Sequence, residues 1–115
     1  MTELHAFDLP YAGTTMRCYE AGQGLPLIFI HGSGPGVDTL SNFGRVLLPL
    51  SERYRVLGLD IIGFGRSGRR PQLPYFDMDM WTGQVLAAIE RLGTDRVGLI
   101  GHSLGGPIVL RAAAA

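Results

Sequence analysis

Val97-Gly98-Leu99-Ile100-Gly101-His102-Ser103-Leu104-Gly105 is the stretch on which the reading of this chain turns. Residues 97–100 have the composition of a buried strand, and the pattern Gly-X-Ser-X-Gly follows directly. A serine in that pattern sits on a strained strand-to-helix turn, a nucleophile elbow, with glycines on either side leaving room for the bend. The turn would present Ser103 at the carboxyl end of a strand, where open α/β sheets gather their ligands. Leu104 would then open a helix whose N–H groups face any negative charge developing beside the serine.

Upstream, two more apolar runs carry similar punctuation. Leu27-Ile28-Phe29-Ile30 is continuously apolar, as expected of a strand covered on both faces, and Arg55-Val56-Leu57-Gly58-Leu59-Asp60 reads as a second buried strand. Arg96 to Ile100 is the third. A helical pattern with Phe43, Val46, Leu47 and Leu50 on one face follows the first, and Pro49 should kink or shorten it. A longer helix spans Met78 to Leu92, with Trp81, Val85, Ala88, Ile89 and Leu92 at helical spacing. Asp77 or Asp79 would cap it and Gly93 would end it. Residues 4–8 and 14–20 read as an antiparallel edge hairpin around Pro10-Tyr11-Ala12-Gly13. The expected class is α/β: a mostly parallel sheet with flanking helices and an antiparallel N-terminal strand pair.

Composition narrows the function. A chain of 115 residues, 46% of them hydrophobic, supports one core and would bury about two thirds of its unfolded surface. Ten basic residues balance ten acidic ones, so no polyanion-binding surface is expected and nucleic acid is not a partner. The single cysteine, Cys18, has no internal disulfide partner and no zinc-like spacing around it, which fits a reduced, cytoplasmic setting. Met1-Thr2-Glu3-Leu4-His5 lacks the pattern of a signal peptide, and the longest apolar run, Leu25 to Ile30, is far short of a membrane span. A soluble protein with no membrane partner is expected.

Three glycine-rich loops follow three buried strands, so all three should open on one edge of the sheet. The first is His31-Gly32-Ser33-Gly34-Pro35-Gly36. In an acyl-transfer site it would supply one oxyanion-hole donor, the N–H of Ser33, and Leu104 N–H would be the second. The plainer alternative is a tight turn that packs a helix on the sheet. The second loop, Gly63-Phe64-Gly65-Arg66-Ser67-Gly68, matches the dinucleotide fingerprint G-x-G-x-x-G. That fingerprint needs a helix opening within the loop, and Arg69, Arg70, Pro71 and Pro74 come instead. Dinucleotide binding is therefore the weakest of the readings.

Ser103 needs a base to accept its proton. Of the three histidines, His102 should diverge from its neighbour Ser103, His31 is placed to brace the first loop, and His5 lies in an edge strand. Asp60, Asp77 and Asp79 read as loop-bracing and capping residues rather than a triad acid. No histidine–carboxylate spacing suggests a metal site, and no cofactor is expected.

These residues resemble the α/β-hydrolase family. Three of its motifs recur in order: His31-Gly32 after the third strand, the Asp60-to-Ser67 segment after the fourth, and Gly101 to Gly105 after the fifth. Ile62 departs slightly from the pattern, where the family often has proline or arginine, and only a small change of loop shape is expected. Within the family, His31 to Gly36 followed by Ser41-Asn42-Phe43 is most similar to the carbon–carbon bond hydrolases that cleave meta-cleavage products, vinylogous diketone acids from aromatic degradation. The resemblance implies a cofactor-free hydrolase acting on a small-molecule carbonyl substrate, an ester or such a carbon–carbon bond. Ser103 would be the nucleophile, with Ser33 and Leu104 as oxyanion donors and Gly34 and Asn42 lining the substrate side. Asn42 would serve equally well as a helix cap. A serine at the elbow argues against the dehalogenase and epoxide-hydrolase branches, which place aspartate there.

In family order the acid, the histidine and the lid follow the nucleophile. The resemblance thus implies that residues 1–115 are a partial domain, inactive alone, whose apolar edge strand invites a second chain, as in a homo-oligomer. A non-catalytic, receptor-like binding module of the same fold is the alternative.

Overall fold

The computed structural model of the chain describes residues 3–94 and 96–115; Met1, Thr2 and Asp95 lie outside the described residues. The strands are β1 (His5–Tyr11), β2 (Thr14–Ala21), β3 (Pro26–Ile30), β4 (Arg55–Leu59) and β5 (Gly98–Gly101). The helices are α1 (Thr39–Phe43), α2 (Leu47–Leu50), α3 (Met78–Leu92) and α4 (Gly105–Ala114). One sheet forms in the order β1-β2-β4-β3-β5. The pairs β1–β2 and β2–β4 are antiparallel, and the pairs β4–β3 and β3–β5 are parallel. The expected mixed sheet is what the chain builds, and the loops after β3, β4 and β5 leave one edge together.

Side-chain alternation divides the sheet between two cores. Ile28, Ile30, Leu57 and Leu59 face α3 and α4 and pack with Trp81, Val85, Ala88 and Ile108. Phe29 and Val56 point to the other face, where Phe43 and Leu47 cover them. Each fully buried Val, Leu or Ile adds about 1.5–3 kcal/mol, so the helices are held chiefly by this burial. Gly58 lets α1 approach the second face closely: a Cβ there would collide with Thr39 Cγ2.

Three local expectations need correction. The hairpin turn is only Ala12-Gly13, because both carry positive φ (54° and 76°) and so form the mirror-image turn that matches strand twist. β1 continues through Pro10, which pairs with Thr15 on an edge strand that does not need its missing N–H. The single helix expected around Phe43 to Leu50 is two short helices. Pro49 does not break them; it lies in the first turn of α2, where an N–H is dispensable. The face expected there is incomplete, since Phe43 and Leu47 are buried but Val46 is exposed. The third strand begins at Gly98 rather than Arg96, whose side chain is exposed.

Helix α3 matches its expected span. Asp77, not Asp79, caps it by accepting from Met80 N–H at 3.0 Å, and Gly93 ends it in the left-handed conformation at φ 73°. Among the described residues β5 pairs only with β3, leaving its outer edge open. No helix among them is long and apolar enough to cross a membrane.

Candidate active site

The elbow is built from backbone contact. Ser103 has φ 55°, one of two non-glycine residues at positive φ among those described. A β-carbon in the left-handed region costs roughly 1–2 kcal/mol, so the turn is held by its surroundings rather than by its own preference. His102 N–H bonds the Ile30 carbonyl at 3.0 Å, tying the turn to the end of β3. Helix α4 starts at once: Gly105 N–H donates to the His102 carbonyl and Gly106 N–H to that of Ser103, both at 2.9 Å. A Cβ on Gly105 would strike the Ile30 carbonyl oxygen, and one on Gly101 would strike the Gly105 carbonyl. The glycines of the motif are thus required by close approach. Ser103 itself is exposed.

The first loop lies directly on this turn. A Cβ on Gly32 would sit 3.0 Å from both Ser103 Cβ and His102 Nδ1. Gly34 continues the loop at φ 139°, a conformation that needs glycine. The N–H groups of Ser33 and Leu104 donate to no backbone carbonyl among the described residues. Gly32 N–H, by contrast, is taken by Asn42 Oδ1 at 2.8 Å. Asn42 does not cap a helix. Asp38 does that for α1, accepting from Ser41 N–H while Ser41 Oγ accepts from Asp38 N–H.

The three histidines have other partners than the serine hydroxyl. His31 is fully buried; its Nδ1 bonds the Gly32 carbonyl at 2.6 Å and its Nε2 accepts from Ile61 N–H at 2.9 Å. That acceptor role requires a neutral ring, and burial pushes the His31 pKa below its ordinary value. His31 therefore braces the first loop against the second. His102 Nδ1 lies 3.2 Å from Asn42 Oδ1, and His5 stacks on Phe7 along β1.

Asp60 is the hub beneath both loops. It is fully buried, and its carboxylate accepts Thr39 N–H and Arg66 N–H, both at 2.9 Å. Its backbone carbonyl accepts from Ser67 Oγ and Gln84 Nε2. Asp77 pairs with Arg70 at 2.5 Å; the Met80 N–H and then the Arg70 guanidinium hold its carboxyl below the usual carboxylate range. Asp79 is exposed and paired with Arg111. Neither approaches the elbow as a triad acid would. Burial pushes the Cys18 thiol up to about 12, so it is inert at neutral pH. Among the described residues no three or more His, Cys, Asp or Glu gather as a metal would require.

The second loop does not open a helix; turns run from Gly63 to the start of α3 at Met78. Gln84, which sequence reasoning passed over, closes this loop: its Oε1 accepts Ile62 N–H at 3.1 Å while Nε2 holds the Asp60 carbonyl. The available signal was a polar residue beside Val85 on the apolar stripe of α3. Ile62 N–H is therefore in use, and a proline there would forgo that bond.

A mixed sheet with a strained serine at the carboxyl end of β5, faced by a glycine loop from β3, defines a hydrolase-type α/β domain. The chain belongs to the alpha/beta hydrolase fold family, whose sequence model matches residues 26–115. It is 36% identical over 99 residues to the 2-hydroxymuconate semialdehyde hydrolase of Pseudomonas sp. strain CF600, covering 86% of this chain and 35% of that one. It superposes with TM-score 0.89 on the 2-hydroxy-6-oxo-6-phenylhexa-2,4-dienoate hydrolase of Rhodococcus sp. strain RHA1. That match is 25% identical and covers 98% of this chain and 42% of the other. An epoxide hydrolase of Vigna radiata shares the fold at TM-score 0.86 and 23% identity, over 97% of this chain and 34% of its own. A 2-hydroxy-6-oxo-2,4-heptadienoate hydrolase of Pseudomonas putida is 35% identical over 98 residues, and the chain spans about 35% of the length of these two Pseudomonas relatives.

Proposed function

We propose that this chain carries the nucleophile and the oxyanion site of a serine hydrolase that acts on a small-molecule carbonyl. Ser103 attacks the carbonyl carbon, or activates water against it, and the Ser33 and Leu104 N–H groups hold the oxygen that becomes negative. Gly34 and the Asn42 amide line the substrate side. The observation that carries the reading is the exposed Ser103 at φ 55° beside two backbone N–H groups with no backbone carbonyl partner among the described residues. Losing one such donor typically costs about 3–4 kcal/mol of transition-state stabilisation.

The preferred substrate is a vinylogous diketone acid cleaved at a carbon–carbon bond, a reading supported by the 2-hydroxy-6-oxo-dienoate in the name of the Rhodococcus relative. An aryl or alkyl ester is the second substrate of the same site. His31 is committed to Ile61 N–H and His102 to Asn42, so neither is free to serve Ser103 as its base. Attack on a carbonyl is complete with these groups and calls for no cofactor.

The test is turnover of a 2-hydroxy-6-oxo-dienoate, followed as loss of its visible absorbance by the active protein, native and Ser103→Ala. The expected loss in kcat is roughly 10⁴- to 10⁶-fold. A variant that keeps its rate sinks the assignment of Ser103. Binding of the substrate without turnover by the native protein would instead leave a non-catalytic module.

A further inference from the structure

Hydrogen-bond logic at Asn42 reaches beyond the residues already given roles. A backbone N–H can only donate, so the Asn42 atom 2.8 Å from Gly32 N is its oxygen, and the side-chain orientation is set. An amide oxygen can only accept. The His102 nitrogen 3.2 Å from that same oxygen must therefore carry a proton. We infer that His102 is held as the Nδ1–H tautomer and that His102, Asn42 and Gly32 form a clamp setting the width of the oxyanion site.

The placement of the three residues gives the clamp its function. Gly32 immediately precedes Ser33, and His102 precedes Ser103 and Leu104. One oxygen thus binds the residue before Ser33 and the residue two before Leu104, one from the loop after β3 and one from the turn after β5. The two loops already touch at this point, since a Cβ on Gly32 would meet His102 Nδ1 and Ser103 Cβ at 3.0 Å each. Contact alone limits how close the loops come; the shared oxygen also limits how far they part. Asn42 and His102 are positioning residues in this arrangement. With Oδ1 occupied twice, the Asn42 NH₂ group is the part left to meet a ligand.

The catalytic consequence rests on the proposed hydrolase reading, but the tautomer does not. The test on the chain itself is a long-range ¹H–¹⁵N imidazole spectrum at about pH 8.5, well above the ordinary histidine pKa near 6.5. The expected result is a protonated Nδ1 and an unprotonated Nε2 for His102, kept in Asn42→Asp, which still accepts both bonds, and shifted towards Nε2–H in Asn42→Leu. A native His102 in the Nε2–H form overturns the clamp, as does an Asn42→Leu spectrum identical to the native one. Should Asn42→Leu fail to fold, the native and Asn42→Asp spectra decide alone.

In the active protein, Asn42→Leu should lower kcat by about ten- to a hundredfold, the effect of a displaced catalytic geometry, and move KM less than about threefold. Asn42→Asp should recover most of the rate. A raised KM with unchanged kcat would overturn the positioning role in favour of simple substrate contact. A native protein that hydrolyses nothing, yet shows the Nδ1–H tautomer, would remove the hydrolase reading and leave the clamp standing.

Discussion

In the loop after β4, the N–H groups of Ile61, Ile62, Gly63, Phe64, Arg66, Ser67 and Gly68 all donate to protein acceptors. In the loops after β3 and β5, those of Ser33 and Leu104 reach no backbone carbonyl among the described residues. All three loops are glycine-rich and leave the same edge of the sheet. One is closed on itself, on Thr15 and on Gln84; the other two are open towards each other. Glycine content therefore does not mark a site. What marks it is a backbone donor left without a protein partner next to a reactive side chain.

The largest expected effect comes from filling the closest approach in the open pair. Gly105→Val places side-chain carbon against the Ile30 carbonyl and should destabilise the fold by about 3 kcal/mol, read as a fall in the urea midpoint. Gly106→Ala, one residue on, meets nothing within 4 Å and should change stability by less than about 1 kcal/mol. Equal tolerance at both positions would mean that the elbow is not shaped by contact between β3 and α4.

A second effect appears only in acid, because the open and closed loops are joined by His31. Its pKa is lowered by burial, so the unfolded chain takes up a proton that the folded chain refuses. The stability tied to neutral His31 is fully present above the unfolded value near 6.5. It is lost as pH falls from there through the lower folded value. A charged ring would also turn Nε2 into a donor facing Ile61 N–H and part the loops. Denaturation midpoints should therefore fall as pH drops below about 6.5, and the His31 imidazole should titrate below 6.5 by NMR. Asp77, whose carboxyl is lowered, adds its own loss only as pH drops below about 4. A His31 that titrates at or above 6.5 would break the link between the two loops.

Much of this arrangement was legible in the chain because its signals are local. Apolar runs such as Leu27 to Ile30 mark strands buried on both faces, and Gly-His-Ser-Leu-Gly marks a turn only a short motif can make. Asp77 and Gly93 announce the ends of α3 by chemistry confined to one turn. The missed features depend on partners distant in sequence. Gln84 closes the second loop across 22 residues, and Asn42 meets His102 across 60. No periodicity reports such a pairing. The break between α1 and α2 was misplaced because Pro49 is conspicuous in sequence, whereas α1 ends where Gly44 N–H donates to the Leu40 carbonyl at 2.9 Å.

The smallest expected effect separates strain from architecture. Positive φ in the closed loop falls on glycine, at Gly63 (96°) and Gly65 (54°), where it is tolerated without cost to a β-carbon. In the elbow it falls on Ser103 at 55°. Ser103→Gly should therefore stabilise the fold by about 1 kcal/mol while removing the hydroxyl, and Gly63→Ala should destabilise it by a similar amount. Opposite signs at two positive-φ positions would show that the elbow keeps a strained serine for its chemistry, in the way functional sites hold conformations that stability alone would discard. A destabilised Ser103→Gly would mean that the hydroxyl itself anchors the turn, and the open loops would then be no more strained than the closed one.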